Sequence, residues 1–141
     1  VIRGLLADAN ADGYLAALIR ICSSPAWNTF WRALHVSTFT FIDFELQPNT
    51  ADSVLWHFCQ DQRLILLTAN RNSDRPDSLE ATIRAHGQGS SLPVITIADA
   101  FQLMRHREYC ERAAVRLLEI LHDIDEFCGS GRLYIPARPA T

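Results

Sequence analysis

Short continuous apolar runs alternate along the chain with segments whose apolar residues recur at helical spacing. Residues 2–7 read as a first strand that ends at Asp8. Leu15, Leu18, Ile19 and Cys22 then share one face of a helix, which Asn10 or Asp12 can cap. Pro25 suits the opening turn of a second helix carrying Trp27, Phe30, Trp31 and Leu34. Residues 36–44 are rich in β-branched and aromatic side chains and predict the next strand. A turn at 47–50 precedes a helix over 51–62, with Val54, Leu55, Phe58 and Cys59 as its apolar face and Asn49 or Thr50 as its cap. The run 64–67 is apolar throughout, as befits a strand covered on both faces. Residues 69–76 form a polar loop, and Asp77 or Ser78 opens a helix through Leu79 and Ile83. Residues 93–97 give a further strand, followed at once by Asp99 and a short helix with Phe101, Leu103 and Met104. The clearest helix spans 107–127, with Cys110, Ala113, Ala114, Leu117, Leu118, Leu121 and Ile124 on one face. Within it, Glu108 and Arg112 are spaced for an i,i+4 ion pair. Residues 133–135 add an edge strand.

Strands that alternate with helices predict an α/β fold, a three-layer α/β/α arrangement around a mostly parallel sheet. No linker divides residues 1–135, which read as one domain, and 136–141 read as a loose tail. The length of 141 residues suits one core.

Composition narrows the chemistry. The chain has no lysine, so all thirteen basic residues are arginine, and any side-chain cation on a phosphate must be a guanidinium fork. Lysine nucleophiles, Schiff bases and a P-loop are excluded. Cys22, Cys59, Cys110 and Cys128 make no CxxC pair and read as buried thiols of a reducing compartment. No apolar run reads as a membrane span or secretory leader, so the expected location is cytoplasmic, with no membrane partner. GxGxxG, HExxH and GxSxG are absent, and the five histidines show no metal-ligand spacing. The three tryptophans lie on apolar helix faces and suit the core.

The remaining candidates are carboxylates. Ligands of open parallel sheets gather beyond the carboxyl ends of the strands. Asp8, Asn70 and Asp99 each follow a strand, and Asp52 lies in the first turn of a helix. Clustered carboxylates repel unless a hard divalent cation neutralises them, and oxygen donors select magnesium or manganese. Arg71 and Arg75 could meet a phosphate beside such an ion. Each acid also suits a bland role: Asp8, Asp99, Asp74 and Asp77 as caps or turn residues, and Asp52 as a charge at the positive end of its helix.

Three segments carry a resemblance: residues 5–10 (Leu-Leu-Ala-Asp-Ala-Asn), 52–56 (Asp-Ser-Val-Leu-Trp) and 63–72 (Arg-Leu-Ile-Leu-Leu-Thr-Ala-Asn-Arg-Asn). In order and spacing they resemble the short branch of the PIN-like domains. That resemblance implies a PIN-like fold and magnesium- or manganese-dependent hydrolysis of RNA phosphodiesters. By position it implies Asp8 and Asp52 as metal ligands; in the nuclease reading Asp99 completes the shell, with Asp74 and Asp77 as further acids that could compensate for the amides of Asn70 and Asn72. Asn70 orients a water or ligates, and Arg71 steadies the phosphate. Implied partners are RNA and a neutralising antitoxin or other protein; a homodimer is a further open expectation. The sequence departs from the family where Asn70 and Asn72 stand in place of an Asp pair. An amide oxygen can ligate but carries no charge and cannot act as a base. The expected nuclease is therefore weakened, and the alternative is a non-catalytic PIN-like binding or regulatory domain.

Overall fold

The computed structural model describes residues 2–69 and 78–139. Within these, β1 (Gly4–Ala7), β2 (Ser37–Phe39), β3 (Leu64–Ala69), β4 (Val94–Ile97) and β5 (Arg132–Ile135) form one parallel sheet in the order β2-β1-β3-β4-β5. The helices are α1 (Asp12–Cys22), α2 (Asn28–Leu34), α3 (Asp52–Gln62), α4 (Ser78–His86), α5 (Ala100–Arg105), α6 (Arg107–His122) and α7 (Ile124–Phe127). They cover both faces, giving the three-layer α/β/α arrangement.

The continuous apolar strands are explained by this double cover, because alternate side chains enter opposite layers. Leu5, Ala7, Ile65, Leu67, Ile95 and Ile97 pack with α1, α5 and α6. Leu6, Leu64, Leu66 and Val94 pack with α3, α4 and Phe41. Register aligns these layers: Ala7 pairs with Leu67, Leu67 with Ile95, and Ile95 with Leu133.

The crossovers do not all share one hand. The chain steps one way along the sheet from β1 to β2, then the other way for every later strand. The helices joining β1 to β2 lie on one face, while α3 and α4 lie on the other. That arrangement gives the first three connections a common hand. Between β4 and β5 the direction is unchanged, yet α5 and α6 return to the face of α1. The fourth crossover therefore has the opposite hand, an unusual feature in parallel sheets.

Several sequence expectations need correction. Only residues 37–39 of the 36–44 segment are strand; Phe41–Phe44 form a 3-10 turn. The cause is local: the Thr40 N–H donates to Asp43 Oδ2 at 2.7 Å in a capping box. The long C-terminal helix breaks at Asp123 into α6 and α7. On α3 the buried face is Leu55, Trp56 and Cys59, and Val54 is 59% exposed. Ala11 and Ala51, not the neighbouring polar residues, occupy the N-cap positions of α1 and α3. On α6 the i,i+4 ion pair is Arg107–Glu111 at 2.8 Å, whereas the Arg112 guanidinium lies over the Tyr109 ring at 5.3 Å. No described helix is long and apolar enough to cross a membrane.

Candidate functional site

The alternation of faces shapes the carboxyl edge of the sheet. On leaving the sheet, β2 and β3 feed helices of one layer, and β1 and β4 feed helices of the other. Adjacent strands that part in this way open a crevice between their ends. The reversed last crossover extends this pattern to the β3/β4 boundary.

Asp8 stands at the end of β1, between two strands whose chains leave to the opposite face. Its N–H donates to the Leu67 carbonyl at 2.9 Å, and its carbonyl accepts the Ala11 N–H at 2.8 Å. Asp8 Oδ1 accepts the Ala9 N–H at 2.8 Å. These bonds fix the half-buried carboxylate in the turn that leads into α1. Its charge reaches α3: the Cys59 thiol is pushed up to about 12, first by burial and then by Asp8.

Asp52 opens α3 on the same edge, because helices run antiparallel to the strands they join. Its Oδ2 accepts a hydrogen bond from the Ser78 hydroxyl, which ties the start of α3 to the start of α4. Ser78, expected only as a cap, thus links two helices across the layer.

Asp99 follows β4 and caps α5. The Gln102 N–H donates to Asp99 Oδ1 and the Gln102 side-chain amide donates to Oδ2, both at 3.0 Å. These bonds hold the Asp99 carboxyl below its ordinary pKa. The bland capping role is therefore filled, and each oxygen accepts a hydrogen bond from Gln102 of Asp99's own helix. Asn70, Arg71, Asn72, Asp74, Arg75 and Asp77 lie outside the described residues.

The donor chemistry of Asp8 and Asp52 suits a hard divalent cation, since both offer carboxylate oxygen. Asp8, Asp52 and Asp99 share the edge without being gathered into one group. Among the described residues, no three or more His, Cys, Asp or Glu side chains are placed together to hold a metal ion.

A polar chain that sequence reasoning missed lies beside this edge. Thr68 and Thr96 are buried and directly paired in register, with hydroxyls 2.9 Å apart. Arg132 Nη1 donates to Thr96 Oγ1 at 3.3 Å, and Arg132 Nε lies 3.2 Å from Glu80 Oε2. The chain thus joins β3, β4, β5 and α4. Its one sequence signal was a threonine near the carboxyl end of each of two apolar strands.

The expected loose tail also takes part. Residues 136–139 line a groove with Asp99, Gln102, Tyr109 and Arg112 at the carboxyl ends of β4 and β5.

Comparison of the chain with protein-family models, curated proteins and solved structures gives no match.

Proposed function

We propose that this chain is a PIN-like domain that binds RNA phosphodiesters at the carboxyl edge of its sheet and hydrolyses them weakly. Asp8 carries this reading: its half-buried carboxylate stands at the end of the interior strand β1, where the neighbouring chains part. Asp8 and Asp52 are the residues that would hold magnesium or manganese. A bound divalent cation would supply Lewis-acid stabilisation of charge on the phosphodiester. The chain's own part is to orient these oxygens, through the backbone bonds around Asp8 and the Ser78 bond to Asp52. By their positions in the sequence, Asn70 orients a water and Arg71 meets the phosphate. Asn70 and Asn72 bring no charge, which lowers both metal affinity and turnover. The free thiols of Cys22, Cys59, Cys110 and Cys128 suit a cytoplasmic setting.

A second reading, a non-catalytic PIN-like binding or regulatory domain, is favoured by one observation. Asp8, Asp52 and Asp99 share the edge, yet among the described residues no three or more His, Cys, Asp or Glu side chains are placed together to hold a metal ion.

Calorimetric titration with manganese tests the first reading. Asp8→Asn should weaken binding by about tenfold or more, because a neutral amide replaces a charged ligand. An identical titration in both proteins removes Asp8 from the site. Cleavage of RNA at saturating manganese, lost in Asp8→Asn, supports the hydrolase; metal binding without cleavage supports the binding domain.

A further inference from the structure

The groove beyond β4 and β5 has chemistry of its own. Its volume is about 570 Å³, within the range of pockets that take small ligands. It is walled by the start of α5, by α6, and by residues 136–139 after β5. Arg112 from α6 and Arg138 from the C-terminal segment both line it. Each guanidinium is steadied by an aromatic ring: Arg112 over Tyr109 at 5.3 Å and Arg138 over Tyr134 at 5.9 Å. Neither makes an ion pair among the described residues. Elsewhere, Arg84, Arg107, Arg116 and Arg132 are each matched with a glutamate. The acid in the groove, Asp99, turns both oxygens toward Gln102. At the rim, Phe101 is 66% exposed, with the Arg105 guanidinium over its ring at 4.9 Å; a base can stack on the ring face opposite such a cation.

We propose that this groove binds a nucleoside phosphate, with Arg112 and Arg138 on the phosphate and Phe101 against the base. Two guanidinium forks on one concave surface match the oxygens of a phosphate monoester. The same chemistry is offered by a free mononucleotide and by the 5′-phosphorylated end of an RNA. The site is separate from Asp8 and does not rest on metal binding there.

Calorimetry with AMP, adenosine and inorganic phosphate tests the assignment. AMP should bind more tightly than either adenosine or phosphate alone, and its affinity should fall with rising salt. Arg112→Gln and Arg138→Gln should each weaken AMP binding by about tenfold or more. Phe101→Ala should weaken AMP binding while leaving phosphate binding unchanged. Equal affinity for AMP and adenosine, or unchanged AMP binding in both arginine variants with intact thermal unfolding, overturns the proposal. A hexanucleotide RNA with a 5′-phosphate, set against the same RNA with a 5′-hydroxyl, separates the two sources. Arginine-dependent preference for the phosphorylated end assigns RNA termini; binding of AMP alone assigns free nucleotides. Manganese binding should be the same in both arginine variants as in the native chain, so failure at the metal edge and failure at the groove are distinct results.

Discussion

Gly4 shows how closely the first two strands approach. A Cβ at this position would lie 2.2 Å from the Ser37 carbonyl oxygen and 2.9 Å from the Phe39 ring. Backbone cannot yield that much without breaking the β1–β2 pairing that aligns Gly4 with Ser37. Gly4→Ala is therefore expected to destabilise by about 1–3 kcal/mol or more in urea unfolding. Cys22 gives a pH dependence. Burial, aided by Cys110, pushes its thiol from 9.0 to about 12. The folded pKa is raised, so the stability it contributes is complete below about pH 9 and is lost as pH rises toward 12. The loss is about 1.4 kcal/mol per pH unit in that window. Unfolding at pH 8 and pH 10 should show a smaller fall for Cys22→Ala than for the native chain. The single residues differed in how legible they were. Asp8 and Asp99 could be placed from sequence because each directly follows an apolar run. The Thr68–Thr96 contact joins residues 28 positions apart, and only strand register brings them together.

At the scale of elements, α6 holds the larger core layer together. Leu117 is fully buried, and Leu118 and Leu121 nearly so, as the helical spacing predicts. Leu117→Ala should cost about 2–5 kcal/mol, measured by chemical unfolding. A change below about 0.5 kcal/mol would place the side chain outside the core. Strands β3 and β4 were readable because both faces are covered and their sequences are almost wholly apolar. β2 was overextended because β-branched and aromatic residues continue through Phe44, while the Thr40–Asp43 capping box turns the backbone away. Arg112 was misassigned for a similar reason. Spacing on a helix offers Glu108 as a partner, but the guanidinium lies over the Tyr109 ring instead.

Over the whole molecule, alternating strands and helices sufficed to predict a parallel sheet in three layers. They could not say which layer each helix joins, since α4 and α6 are both amphipathic and either face would bury them. The hand of the last crossover was therefore hidden, and with it the groove beyond β4 and β5. That reversed crossover also bears on how the chain is made. It lays α6 against α1, so the apolar face of α1, which also meets β1 and β3, loses its last exposure only when α6 exists. About 85 residues separate Cys22 from Arg107. A ribosome adding ~5–20 residues per second leaves α1 without that partner for ~4–17 s. During synthesis the cover over the first helix is therefore completed late, when α6 packs onto the layer that β1 and α1 begin.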